Sequence, residues 1–111
     1  MQYSFGDVVL VDFPFSDSSG TKRRPARVII HDIDNDVLLA RITSKPKELL
    51  FDARMSDWKI SKLLFPSTIR LGKLATLSAD LVEGKIGELS KNDRAEVIAA
   101  LERLTASVKG K

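Results

Sequence analysis

Val8-Val9-Leu10-Val11-Asp12-Phe13 is β-branched and aromatic, with one charge inside it, and Gly6-Asp7 ahead of it is a turn signal. The stretch reads as a buried strand. Pro14 to Lys22 follows, carrying Ser16, Ser18, Ser19, Gly20 and Thr21, which is a polar loop rather than an element. A second strand runs from Pro25 to His31 around Val28, Ile29 and Ile30. Proline is tolerated at a strand start, where its missing N–H breaks no ladder bond. Asp32 to Asp36 is a hairpin-like turn, and Val37 to Ile42 is a third strand. Apolar strands this close together, joined by tight connections, predict an antiparallel barrel or sandwich rather than alternating β-α-β units.

Downstream the pattern loosens. Pro46 breaks the chain, and Leu49 to Ala53 reads as a strand. Met55 to Leu64, with Trp58 inside, reads as a short helix or an irregular arm, ended by Pro66. Ser67 to Leu71 and Leu74 to Leu77 are strands around Gly72, Ala79 to Val82 is one helical turn, and Ile86 to Leu89 is a short strand. Ser90, with Asp93 three residues on, marks a helix start. Val97, Leu101, Leu104 and Val108 then share one face, which Ile98 widens. This predicts an amphipathic helix from Lys91 to Ser107 packed on the sheet. With no repeat, linker or low-complexity segment, the expected architecture is one domain over residues 1–111. It is mainly β (α+β), a small antiparallel barrel closed by a C-terminal helix.

Composition narrows the chemistry. Of 111 residues, 43% are apolar, enough for a real core. A domain of this size hides roughly two-thirds of the surface its unfolded chain exposes. There is no cysteine, hence no disulfide and no thiolate chemistry, which suits a reducing compartment. One histidine, His31, excludes a Cys/His metal cluster, and Asp34 and Asp36 flank Asn35 as turn residues. The first twenty residues carry Asp7, Asp12 and Asp17 and no long apolar run, against a signal peptide or membrane span. Net charge is +3. That fits either a mixed soluble surface or attraction to a polyanion, and only the placement of charge separates the two.

Three polar groups interrupt the apolar pattern. Lys22-Arg23-Arg24-Pro25 puts three cations at a loop–strand junction. Adjacent strand residues point to opposite faces, so Arg23 and Arg24 should diverge. The planar guanidinium fork suits a phosphate, although a solvated basic turn has the same composition. Thr43-Ser44 ends the third strand, either capping it or offering hydroxyls to a phosphate. If strands two and three pair antiparallel, Thr43 lies near Arg24. Ser67, Thr68, Arg70 and Lys73 would extend a basic groove, or protect an edge strand. Trp58 and Phe65 are able to stack bases, with Trp58 better suited to the core or to a dimer contact. His31, at a strand end beside Asp32, reads as structural.

Gly6 to Phe15, the Ser/Gly loop and Lys22-Arg23-Arg24-Pro25-Ala26 together resemble the opening of the MazF/PemK family. Ile42-Thr43-Ser44, Leu64-Phe65-Pro66-Ser67-Thr68-Ile69-Arg70 and Ile86-Gly87-Glu88-Leu89-Ser90 resemble its later motifs. The resemblance spans nearly the whole chain and is weakest at residues 45–63. It implies a PemK-like, SH3-type barrel and a homodimeric, cytoplasmic toxin that cleaves single-stranded RNA. It also implies a labile, acidic antitoxin that silences the protein, with no cofactor and no metal. The family's active arginine precedes the proline and maps onto Arg24, and its partner hydroxyl maps onto Thr43. Lys22, Ser44, Ser67, Arg70 and Lys73 are the expected substrate-binding residues. Some PemK-like members place an aspartate two residues after the second arginine. Here that position is Gly72, so no general base is assigned. The alternative is a gyrase-poisoning or other non-catalytic toxin of the same fold, which would not need Arg24 and Thr43 together.

Overall fold

The computed structural model describes residues 3–14, 20–45 and 49–110, with the backbone only of residues 21, 32 and 33. The Ser/Gly loop at 15–19 and the break at Pro46 lie outside the described residues. Six strands and one helix follow in order: β1 Asp7–Pro14, β2 Thr21–Ile33, β3 Asp36–Thr43, β4 Asp52–Arg54, β5 Thr68–Ser78, β6 Val82–Glu88 and α1 Lys91–Lys109. All pairings are antiparallel, in the order β4-β5-β3-β2-β1-β6.

The continuous apolar run of β1 has a physical reason: both of its faces are covered. Val8 joins one cluster with Ile29, Ile42, Ile69 and Leu71, roofed by Val97 and Ala100 of α1. Val9, Val11 and Phe13 join a second cluster with Val28, Val37 and Leu39. Leu77 of β5, Leu81 of a 3₁₀ turn at Ala79–Leu81 and Val82 of β6 pack on that second cluster. The sheet therefore curls around it like a barrel. The cylinder stays open: β4 and β6 remain the edge strands, and β4 has only three residues.

β2 begins at Thr21, so Lys22, Arg23 and Arg24 belong to the strand and not to the loop before it. The two strands expected around Gly72 are one strand with a bulge. Ala40 pairs with Leu74 and Arg41 with Arg70, leaving 71–73 unmatched on β3. The Leu71 N–H bonds the Phe51 carbonyl instead, at 2.9 Å. Residues 55–67 form an irregular arm of turns, with Lys62 in the left-handed region at φ 68°. Helix α1 is capped by Ser90, whose Oγ accepts the Asp93 N–H at 3.1 Å. Val97 and Ala100 are buried and Leu101 and Leu104 half-buried, whereas Val108 is exposed, the last turns outrunning the sheet. His31 is structural: its Nδ1 accepts the Tyr3 N–H at 2.7 Å, and the two rings are 5.3 Å apart.

Candidate nucleic-acid cleft

Register lays out the site in two cross-strand rows. Asp52 of β4, Arg70 of β5 and Arg41 of β3 form the first. Arg54, Thr68 and Thr43 form the second, two residues along. On the other side of β3, Ala26 pairs with Arg41 and Arg27 with Ala40. Continued by two residues, that register sets Arg24 opposite Thr43. Directly opposed residues share a face, as do residues two apart on one strand. Arg24, Arg41, Thr43 and Arg70 therefore stand on one surface.

That surface floors a cleft of about 810 Å³. Six cationic residues line it, namely Arg24, Arg41, Lys45, Lys62, Arg70 and Lys73. Thr43, Ser44 and Ser67 bring hydroxyls, and Leu64 and Phe65 form an apolar rim, both largely exposed. No aspartate or glutamate lines the cleft among the described residues. Arg23 and Arg24 do diverge. Arg23 donates to Asp12 at 3.4 Å and to Glu83 at 2.6 Å, whereas Arg24 lines the cleft without an ion pair to any described residue. Arg70 donates its Nε–H to Asp52 Oδ1 at 2.8 Å. The Thr43 Oγ1 accepts the Lys45 N–H at 3.2 Å, which leaves the hydroxyl proton to donate. Ser67 spends its own proton on the Phe65 carbonyl, at 2.8 Å.

The family model for a PemK-like, MazF-like toxin of type II toxin-antitoxin systems matches residues 4–105. The chain belongs to the PemK/MazF family. No curated protein matches it. Solved structures share the fold at low identity. A MazF from Deinococcus radiodurans superposes with a TM-score of 0.74 at 19% identity, covering 96% of this chain and 98% of that one. A MazE–MazF structure from the same organism gives 0.75 at 18%, covering 94% and 96%. An endoribonuclease in complex with its cognate antitoxin, from a Mycobacterial species, gives 0.73 at 16%, covering 90% and 91%.

In this PemK/MazF-family chain, six expected residues meet in one cleft: Arg24, Thr43, Ser44, Ser67, Arg70 and Lys73. Lys22 does not line it. It lies two residues further along β2, opposite Phe13, and is exposed. Trp58 packs against the α1-side core and does not line the cleft, whereas Phe65 does. Arg41, Lys45 and Lys62 were not expected. Arg41 was recoverable from alternation, being the exposed residue between buried Ala40 and Ile42, two before Thr43. Lys45 and Lys62 carry no such signal, since neither lies in a regular element.

Proposed function

We propose that this chain is a metal-independent endoribonuclease that cuts single-stranded RNA through the substrate's own 2′-hydroxyl. The observation that supports it is the cleft of six cations, three hydroxyl residues and an apolar rim, free of carboxylates among the described residues. An RNA backbone matches such a surface, with bases seated on Phe65 and Leu64. The chain has no cysteine and one histidine, and His31, whose Nδ1 accepts the Tyr3 N–H, does not line the cleft. In this reading the 2′-hydroxyl gives its proton to solvent as its oxygen attacks the adjacent phosphorus, the bond to the 5′-oxygen breaks, and the 5′-oxygen takes up a proton from solvent. The products are a 2′,3′-cyclic phosphate and a 5′-hydroxyl. Arg24 stabilises the charge that develops on the phosphorane, Thr43 donates to a phosphate oxygen, and Arg70 faces the leaving oxygen. Ser44 and Lys73 hold the flanking strand, Lys22 sits beyond the cleft where only a longer RNA reaches it, and Ser67, its proton given to Phe65, accepts from a base or sugar donor. We take the working form to be a cytoplasmic homodimer silenced by a cognate acidic antitoxin, by analogy with the family.

Cleavage of a long single-stranded RNA in EDTA tests this. Arg24→Ala should lower the rate about 10²–10³-fold, the usual effect of losing one preorganised donor. A single 2′-deoxy substitution before the cut should abolish cleavage and spare binding, because the backbone charge is unchanged. Products carrying a 5′-phosphate would make water the nucleophile and defeat the mechanism.

A further inference from the structure

Arg41 and Arg70 are direct cross-strand partners, so two like charges oppose each other at the floor of the cleft. On its far side Arg70 meets Asp52, its register partner on β4. The pair is sequestered: the Arg70 side chain is 16% exposed and that of Asp52 is 4% exposed. Asp52 is itself held on two sides. Its Oδ1 accepts the Arg70 Nε–H at 2.8 Å, and its Oδ2 accepts the Leu49 N–H at 3.1 Å. Its own N–H closes the same turn onto the Leu49 carbonyl at 3.0 Å. The carboxylate does not line the cleft, but Arg70 does.

We propose that Asp52 is a positioning residue for RNA cleavage: it holds Arg70 by Nε, so that the remaining guanidinium donors face the scissile phosphate. This rests on the endoribonuclease reading above. A guanidinium has five donors in a rigid fork, so fixing one edge directs the other. Without the carboxylate, repulsion from Arg41 drives Arg70 off its mark. Misplacement of a reacting group by about 1 Å costs up to about 10²-fold in rate. Asp52 thus acts through Arg70 and touches no substrate. β4 has three residues and packs against α1, so its register is fixed by tertiary contact and not by a hairpin.

The test is Asp52→Asn, which keeps the size and an acceptor for the Leu49 N–H but removes the charge. With a single-stranded RNA oligonucleotide that the parent cuts, kcat should fall roughly tenfold to hundredfold, with KM within about threefold. In an Arg70→Ala background the same substitution should have no further effect on kcat. Nuclear magnetic resonance adds a readout independent of activity: the Arg70 Nε–H should exchange slowly in the parent and fast in Asp52→Asn. If Asp52→Asn unfolds, Arg70→Lys takes its place, because one ammonium cannot hold Asp52 and reach the phosphate together; it should show the same loss in kcat. Parental kcat in Asp52→Asn or in Arg70→Lys overturns the proposal. So does an undiminished loss in the Arg70→Ala background, which would give Asp52 a role apart from Arg70. A parent that cuts no RNA fails the functional reading instead. The exchange rate then still decides the pairing, and equal exchange in parent and variant refutes it.

Discussion

Arg27 is the residue most at odds with its surroundings. It is fully buried, and none of its three guanidinium nitrogens has a hydrogen-bond partner among the described residues. Burial, and then repulsion from Arg94, push it down to about 9, with Asp7 pulling the other way. Its compensation is the face of Phe5, 3.9 Å from the guanidinium carbon. A desolvated cation–π contact returns about 2 kcal/mol, whereas an unpaired buried ion costs several. Arg27→Met, similar in length and apolar, should therefore stabilise the fold by about 1–3 kcal/mol. Urea denaturation measures this, and a loss of stability would show that the guanidinium has partners which the free chain conceals. Arg24 is the contrast. It is exposed and without an ion pair to any described residue, which leaves its donors for a ligand. Residue type was legible from the sequence in both cases, but burial was not. Arg27 sits inside Pro25-Ala26-Arg27-Val28, where alternation alone makes it a surface residue.

At the scale of elements, the arm at 55–67 decides how the cleft is walled. It has no regular structure of its own and is held by side chains of its neighbours. Asp93, 1% exposed in the first turn of α1, accepts the backbone N–H groups of Ser56 and Asp57, both at 3.0 Å. Ser90 donates to Asp57 at 2.6 Å, and Ser61 donates to the Glu88 carbonyl of β6 at 2.9 Å. At Gly87 a Cβ would lie 2.5 Å from the Ser61 carbonyl oxygen, so only glycine lets the arm lie this close to β6. Burial raises the Asp93 carboxyl above its ordinary 3.8, against the two backbone donors, which lower it. The sign follows from linkage. The folded state binds the proton more tightly, so Asp93 favours folding most when protonated. That contribution is lost as pH rises from 3.8 through the raised value. Asp93→Asn cannot titrate there and leaves one donor short, at a cost of about 1–3 kcal/mol. The parent's advantage over Asp93→Asn should thus be largest near about pH 4 and shrink toward about pH 7. Denaturation of both proteins across that range checks it, and an advantage that grows with pH reverses the balance between burial and hydrogen bonding. The arm was not legible as one structure because its order comes from distant residues. β1, β2, β3 and α1 were, because their periodicity is local. The bulge in β5 was hidden because Leu71 bonds Phe51, a pairing that no local pattern in β5 reveals.

Across the whole molecule, a net charge of +3 understates how unevenly charge is placed. Five acidic groups elsewhere are matched to cations: Asp12 and Glu83 to Arg23, Asp7 and Glu88 to Lys85, and Asp52 to Arg70. The cleft collects six cations with no acidic residue among the described ones lining it. A concave surface of one sign focuses potential and attracts polyanions in general, not RNA alone. The cleft could be assembled from the sequence only in part. Antiparallel register brought Arg24 to Thr43, but Lys45 and Lys62 arrive on irregular backbone, and Arg41 is marked by alternation alone. An acidic, extended polypeptide with apolar anchors fits the same features, its carboxylates on the cations and its side chains on Leu64 and Phe65. Such a segment orders on binding, which costs about 2–5 kcal/mol that the charge pairs and apolar contacts must exceed. Peptide and RNA would then exclude each other. We expect a cognate acidic antitoxin to inhibit competitively, raising KM for RNA while leaving kcat nearly unchanged. Lys62→Ala with Lys73→Ala should weaken both ligands and flatten the salt dependence of RNA binding. The log–log slope should fall by about 0.7 for each phosphate that is no longer neutralised. The measurement is cleavage of a fixed RNA across a titration of that protein at two salt concentrations. Inhibition that lowers kcat without raising KM would place the partner elsewhere on the surface. A saturated complex that still cuts RNA at the parental rate would rule the partner out.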